Sequence, residues 1–203
     1  MRRCGTVILA AGDFPRKDGA AWRLLAAARR VVACDGAAQT FWRRFRRWPD
    51  VIVGDMDSFR PDVARAAGVE IVQVAEQETN DLDKAIALCR AHGWNDLVIV
   101  GATGRREDHT IGNVFRALAA GVAIVTDHGT FHPVNGRVTL RVRKGCGVSV
   151  FAPDPATTLA SQGLRWPLAG VRPTSIQSLT LNRADATRLV VSSDRPAFVF
   201  VER

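Results

Sequence analysis

One segment of the chain reads Val51-Ile52-Val53-Gly54-Asp55-Met56-Asp57-Ser58. It is an uncharged, β-branched run that ends at a glycine, which is typical of a strand buried in a parallel sheet. Ligands of such sheets bind beyond the carboxyl ends of the strands. Asp55 and Asp57 lie there, two positions apart, so in an extended chain they share a side and can bind one hard cation such as magnesium. A solvated turn with an aspartate as helix cap explains the same residues, so other segments must distinguish the two hypotheses.

Around this segment, short apolar runs alternate with segments of helical character. The expected strands are residues 7–10, 31–34, 51–53, 69–74, 97–100 and 123–125. The expected helices are residues 20–30, 36–47, 61–67, 80–92 and 108–120. This alternation predicts βα units in a parallel sheet.

After residue 127 the pattern changes to brief segments in which apolar and polar residues alternate, at 137–142, 147–151 and 197–201. Such alternation is typical of half-buried antiparallel strands. We therefore expect an α/β fold with an N-terminal Rossmann-like parallel-sheet domain over residues 1–128. A small all-β domain follows over residues 129–203, with the boundary near residues 127–136.

The composition excludes several classes of protein. The 203 residues suffice for one large or two small domains. The four cysteines, at positions 4, 34, 89 and 146, lie far apart without zinc-site spacing, which favours reduced thiols in a cytoplasmic protein. We expect neither a signal peptide nor a membrane span, because no apolar run is long enough.

The formal charge of +8 raises the question of an anionic partner. Residues 41–48 interleave aromatic residues with arginines, as nucleic-acid surfaces do. At helical spacing, however, Phe41, Phe45 and Trp48 form one apolar stripe and the arginines face solvent. We prefer an amphipathic helix and do not expect nucleic acid as a partner; strongly salt-dependent binding of RNA or DNA would contradict this interpretation.

Further polar segments follow other predicted strands. They are Asp35-Gly36, Thr79-Asn80-Asp81-Leu82-Asp83-Lys84 and Gly101-Ala102-Thr103-Gly104-Arg105-Arg106-Glu107-Asp108-His109. One acidic turn is common, whereas a succession of them at the same edge of a sheet is harder to explain by solvation alone.

The segment 79–84 predicts a helix start that carries two opposite charges. Thr79 or Asn80 can cap the helix, and Asp81 then lies in its first turn, near the positive end of the dipole. Asp81 and Lys84 are three positions apart and share a face, so we expect a carboxylate for metal and an ammonium for phosphate to point into the same cleft. An ordinary ion pair between them is the alternative.

The segment 101–109 predicts a phosphate site. A glycine-rich turn exposes backbone amides, and the helix that follows adds its positive end. Arg106 adds a fork-shaped cation suited to phosphate oxygens. The segment matches neither the P-loop pattern nor G-x-G-x-x-G.

Taken together, these segments resemble the thiamine pyrophosphokinase (thiamine diphosphokinase) family. The resemblance continues at Gly163-Leu164-Arg165-Trp166-Pro167-Leu168, which is similar to the family's Gly-Leu-basic-Trp-x-Leu motif on the thiamine side. It implies an ATP-binding α/β domain, a small β-sandwich domain that binds thiamine, and a homodimer with active sites between subunits. It also implies magnesium-dependent transfer of the β,γ-pyrophosphoryl group of ATP to the hydroxyl of thiamine, with release of AMP.

The resemblance also implies roles for individual residues. The catalytic group is Asp55, Asp57, Asp81 and Lys84, of which the three aspartates bind metal, with Asp35 beside them. The nucleotide side comprises Asp35, Gly101, Thr103, Gly104, Arg106, Asp108 and His109. The thiamine side comprises Trp166 and Asn182.

Two positions depart from the family pattern and keep alternatives open. Arg105 stands where many relatives have a second glycine, so the loop takes another path or gains a phosphate contact. Leu181 stands where the family has serine before Asn182. A related pyrophosphokinase acting on a hydroxymethylpterin is therefore one alternative, and a non-catalytic nucleotide- or thiamine-binding module is another.

Overall fold

The computed structural model describes residues 5–57 and 62–203. Cys4, Ser58 and the predicted helix start at Pro61 lie outside the described residues. The chain divides into two compact units. The first runs to Arg116 and includes Val125–Asp127, and the second comprises Ala117–Ile124 and His128–Arg203.

The elements up to residue 125 follow the predicted alternation closely. The strands are β1 (Thr6–Leu9), β2 (Arg30–Cys34), β3 (Val51–Gly54), β4 (Glu70–Gln73), β5 (Leu97–Val100) and β6 (Ala123–Val125). The helices are α1 (Ala20–Ala27), α2 (Ala37–Phe45), α3 (Asp62–Ala66), α4 (Asp81–Ala91) and α5 (Glu107–Ala120).

The first unit is built on a parallel sheet in the order β5-β1-β2-β3-β4. This confirms the mixed α/β class and the parallel arrangement of these five strands. The strands are buried on both faces: Ile52 packs with Phe41 and Leu25 in one apolar core, while Val51 and Val53, which alternate with Ile52, are buried as well. Since all these strands run the same way, their carboxyl ends share one edge of the sheet.

The arginine-rich segment forms the predicted amphipathic helix. Phe41 is fully buried in the core, and Phe45 and Trp48 pack against it, whereas Arg43 and Arg44 are exposed. The helix ends earlier than predicted, because the segment turns at a C-cap in the left-handed region.

The second unit contains antiparallel strands, as the alternating pattern predicted. The strands are β7 (Gly129–Arg141), β8 (Gly147–Phe151), β9 (Leu159–Gln162), β10 (Ala169–Val171), β11 (Leu179–Arg183) and β12 (Arg188–Glu202). The long strand β12 pairs with β7, β8 and β9 and thereby joins most of the unit's strands. β7 begins earlier than predicted, within residues 127–136, where we expected the domain boundary. The sequence pattern did not predict β9, β10 or β11.

From the composition we expected reduced cysteines and no membrane span. Cys34, Cys89 and Cys146 are free and buried. Among the helices of residues 5–57 and 62–203, none combines the length and apolar character that crossing a membrane requires.

Candidate active site

Three carboxylates meet at the carboxyl edge of the parallel sheet. Oxygen atoms of Asp35, Asp55 and Asp57 lie within 4.8 Å of one another. Met56, at φ +68°, turns the chain between the last two, and the Asp57 amide donates to Asp55 Oδ1 at 3.2 Å. The side chains therefore converge through a turn, rather than through the extended geometry that their spacing predicted.

Gly54 permits a close approach at the end of β3. A Cβ atom at this position would lie 2.9 Å from Cβ of Asp35 and 3.2 Å from Oδ1 of Asp81. Glycine supplies space here rather than unusual backbone angles. The absence of a side chain brings the first turn of α4 next to the carboxylate cluster.

The N-terminus of α4 carries the ion pair that was predicted as an alternative. Asn80 caps the helix by accepting a hydrogen bond from the Asp83 amide at 2.9 Å. Asp81 Oδ1 lies 3.7 Å from the ammonium of Lys84. Lys84 is only 6% exposed, so its charge acts where solvent screening is weak. The ion pair is thus present, but the two side chains do not line one cleft: Asp81 lines a cleft that also contains Arg106, and Lys84 is not in its lining.

The carboxylates at this edge experience different environments. The side-chain amide of Gln77 donates to Asp55 Oδ2 at 2.9 Å, and this bond, followed by the Asp57 amide, lowers the pKa of Asp55. Burial raises the pKa of Asp81, and the Lys84 ammonium opposes this shift. The negative charges of Asp35, Asp55 and Asp57 raise it further, as expected for like charges that share a site.

Two backbone amides of the glycine-rich loop donate hydrogen bonds within the chain. The Gly104 amide donates to Thr110 Oγ1 at 3.0 Å, and the Arg106 amide donates to the Gly104 carbonyl at 2.8 Å. These two amides are therefore not directed at a ligand, so the predicted exposure of the loop's amides fails at Gly104 and Arg106. The cationic side chains of Arg105 and Arg106 offer a further means of binding an anion.

Arg106 forms a two-point ion pair with Asp108. The guanidinium donates to both carboxylate oxygens, at 2.6 and 3.1 Å, and holds the pKa of Asp108 at about 2. Both side chains are exposed. The pair orients the guanidinium fork beside the cleft that Arg106 helps to line.

A cleft of about 420 Å³ opens in the first unit beside Asp81. It is lined by Ala10, Ala11, Gly12, Cys34, Asn80, Asp81, Leu82, Ala102, Gly104, Arg105, Arg106, His109 and Asn113. Gly101 and Thr103 are not part of this lining: their carbonyls accept from the amides of Gly12 and Asp13 at 2.7 and 2.8 Å. They hold the loop after β5 against the loop after β1. The volume is that of a small-molecule site.

Among the cleft residues that the sequence analysis did not predict, two make side-chain hydrogen bonds. Asn113 is buried on α5, donates to the Ala102 carbonyl at 3.0 Å and accepts from Asn80 at 3.3 Å. It therefore connects the cap of α4 with the loop after β5. Cys34 donates to the Asp81 carbonyl through its thiol at 3.5 Å. A polar residue in the middle of a predicted helix was the available signal for Asn113.

In the second unit, Asn182 binds the backbone of Trp166 from both sides. Its oxygen accepts from the Trp166 amide at 3.2 Å and its nitrogen donates to the Trp166 carbonyl at 2.8 Å. Asn182 is buried, whereas the Trp166 side chain is 55% exposed and is not part of the core. Leu181, at φ +65° in a bulge of β11, is also exposed.

The first unit thus has the architecture of an α/β protein in which carboxylates and cations converge at the ends of parallel strands. A family model described as "Thiamin pyrophosphokinase, catalytic domain" matches residues 21–126. The chain belongs to the thiamin pyrophosphokinase family.

Individual relatives carry the same family name. The chain is 30% identical over 145 residues to thiamine pyrophosphokinase 1 of Oryza sativa subsp. japonica, covering 62% of this chain and 54% of the relative. It is 31% identical over 146 residues to thiamine pyrophosphokinase 2 of Arabidopsis thaliana, with coverage of 62% and 54%. The chain therefore spans about half the length of these curated relatives.

Solved structures share the fold at low sequence identity. The thiamin pyrophosphokinase from Candida albicans superimposes with a TM-score of 0.81 at 19% identity, covering 97% of this chain and 89% of that chain. The yeast thiamin pyrophosphokinase gives 0.80 at 16% identity, covering 100% and 87%. This likeness concerns the fold alone.

Proposed function

We propose that the protein is a thiamine pyrophosphokinase, which transfers the pyrophosphoryl group of ATP to the hydroxyl of thiamine and releases AMP. The observation that carries this proposal is the convergence of Asp35, Asp55 and Asp57 within 4.8 Å at the carboxyl edge of the parallel sheet. Membership of the thiamin pyrophosphokinase family supports it.

The donor set of the cluster fits magnesium. Carboxylate oxygens are the ligands that this cation prefers, and it is commonly bound by one or two carboxylates together with substrate phosphates. We propose that Asp55 and Asp57 of this cluster hold the metal together with Asp81, with Asp35 beside them. Asp81 is not one of the three clustered residues, but it lies close enough for their charges to raise its pKa. When bound, magnesium neutralises negative charge on the phosphates of ATP.

The side chains of the first unit supply the remaining parts of a phosphoryl-transfer site. Such reactions depend mainly on positioning and charge stabilisation, and they need no covalent nucleophile. The buried ammonium of Lys84 lies 3.7 Å from Asp81, where it neutralises charge close to the carboxylates. Arg106 and His109 line the cleft and serve the nucleotide phosphates, with Arg106 oriented by Asp108. Gly101, Thr103 and Gly104 shape the loop.

We propose an ATP-binding Rossmann-like domain over residues 1–128 and a thiamine-binding β-sandwich domain over residues 129–203. In the second, Trp166 offers an exposed aromatic face on which a cationic ring can stack, and Asn182 fixes its backbone. The proposal includes a homodimer with active sites between subunits. It also includes a cytoplasmic location, which the free thiols of Cys34, Cys89 and Cys146 support.

An assay of AMP release tests the reaction. The purified protein is incubated with ATP and magnesium, together with thiamine, a hydroxymethylpterin or no acceptor, and the products are identified by mass. With thiamine as the acceptor, we expect AMP and thiamine diphosphate in equal amounts. With the pterin or with no acceptor, we expect no AMP. AMP only with the pterin would identify the related pyrophosphokinase, and binding of ATP and thiamine without AMP would identify a binding module.

A further inference from the structure

One arginine of the cleft adopts a backbone conformation that favours glycine. Arg105 has φ +60°, and the Arg106 amide donates across it to the Gly104 carbonyl at 2.8 Å. This is a γ-turn with its central residue in the left-handed region, a strained arrangement for any residue with a Cβ atom. Glycine would adopt it at lower cost.

Arg105 makes one side-chain hydrogen bond within the described residues. Its side chain is exposed, and one guanidinium nitrogen donates to the Ala11 carbonyl at 3.2 Å. This bond is charge-assisted, but it lies at the protein surface, where water competes for both groups. It also leaves most of the guanidinium donors unused, so it does not by itself explain an arginine at this position.

The position of Arg105 offers another explanation. The residue lines the same cleft as Arg106 and His109, and it bridges from the loop after β5 to the loop after β1. A guanidinium carries five N–H donors, of which the Ala11 carbonyl engages one. Unlike Arg106, which an adjacent carboxylate neutralises, Arg105 forms no salt bridge within the described residues. Its guanidinium is therefore not held in an ion pair beside the cleft.

We infer that Arg105 binds a phosphate group of the nucleotide, as a second guanidinium contact beside Arg106. This inference rests on the proposed function, since it takes the ligand of the cleft to be a nucleoside triphosphate. The bond to Ala11 holds the guanidinium in place before the ligand arrives, so less side-chain freedom is lost on binding. The strained backbone at Arg105 places its charged side chain beside the cleft, as strained residues at functional sites commonly do.

The test compares Arg105→Gly with Arg46→Gly. Arg46 is also exposed and also left-handed, at φ +55°, but it caps α2 and does not line the cleft. Both changes remove one positive charge and relieve the same kind of strain. Affinities are measured by calorimetry for α,β-methylene-ATP, inorganic tripolyphosphate and adenosine, and unfolding temperatures are measured in parallel.

We expect Arg105→Gly to lower the affinity for α,β-methylene-ATP and tripolyphosphate about tenfold or more. The affinity for adenosine should not change. The unfolding temperature of Arg105→Gly stays equal to that of the parent or rises by about 2–4 °C. Arg46→Gly keeps the parental affinities. Unchanged affinity for both phosphate ligands in Arg105→Gly, or an equal loss for adenosine, would overturn the inference. Because these measurements need no acceptor and no turnover, they remain informative even if the protein forms no thiamine diphosphate.

Discussion

The side-chain amide of Gln77 donates a hydrogen bond to Oδ2 of Asp55 at 2.9 Å. This contact joins an exposed loop to the half-buried carboxylate that follows β3, and it is the first cause of the lowered pKa of Asp55. Partners of this kind orient a metal ligand and keep it ionised. Since the folded-state pKa lies below the ordinary value of 3.8, the bond favours the folded protein above that pH and loses this effect as the pH falls through the lowered pKa.

Gln77→Met should therefore weaken the proposed metal site without removing a ligand. We expect the pKa of Asp55 to rise toward its ordinary value and the magnesium concentration for half-maximal activity to increase about tenfold. Carboxyl NMR titration and magnesium titration of AMP release measure the two effects. Gln73→Met is the matched control, because Gln73 donates to the backbone carbonyl of Asp55 and not to its carboxylate. Equal effects of the two changes would contradict the proposed role of Gln77.

Asp55→Asn and Asp81→Asn should each lower the rate of thiamine-dependent AMP formation about 100-fold or more, because each removes a charge at the proposed metal site. The variants are compared by initial rates at saturating ATP. Asp185→Asn provides a control, since this exposed carboxylate of the second unit lies 3.9 Å from Lys144. Normal rates in both site variants would refute the metal roles assigned to Asp55 and Asp81.

Lys84→Met should destabilise the protein at pH 7 by about 2 kcal/mol, because a half-buried carboxylate at Asp81 loses its cationic partner. Lys84 lowers the pKa of Asp81, so the variant's Asp81 pKa rises further above 3.8. For a carboxyl whose pKa is raised by folding, the destabilisation is greatest above the folded-state pKa and decreases as the pH falls through it. Urea unfolding of the parent and the variant at pH 7 and pH 5 measures this difference.

The double variant Lys84→Met with Asp81→Asn isolates the charge effect. It removes both charges at once, so we expect it to recover much of the stability lost in Lys84→Met while remaining inactive. A double variant as unstable as Lys84→Met would indicate that packing of the lysine side chain, rather than its charge, stabilises this part of α4.

Asn182→Ala should destabilise the second unit by about 1–3 kcal/mol, because it leaves the amide and the carbonyl of Trp166 without their partner. Asn182→Asp keeps the acceptor but loses the donor, so we expect an intermediate loss. Thermal unfolding measures the loss of stability. Trp166→Phe keeps both backbone bonds, so it tests whether they act independently of the indole side chain. A stable Asn182→Ala with an unchanged KM for thiamine would contradict a positioning role.

The parallel sheet and much of the site were predictable because their signals are local. A β-branched run and a following glycine indicate β3, and a capping residue before an acidic first turn indicates the start of α4. These signals also predicted that Asp35, Asp55 and Asp81 would lie at one edge, because parallel strands share it.

The missed features depend on contacts between distant residues. Gln77 is exposed in a loop with no periodic pattern, so nothing nearby indicates its bond to Asp55. The turn at Met56 places a bulky residue at positive φ, which sequence preferences disfavour. The strand β10 is short and mostly exposed, and pairing with β9 rather than its own composition determines its conformation.

The pairing of β12 has a consequence for how the chain folds during its synthesis. Since β12 follows β7, β8 and β9 in the sequence, the ribosome makes all three before the strand that they share. The first unit, whose parallel strands are complete by Val100, can begin to fold while these edges are still unpaired. Until β12 emerges, β7, β8 and β9 expose open edges of the kind that chaperones protect from aggregation.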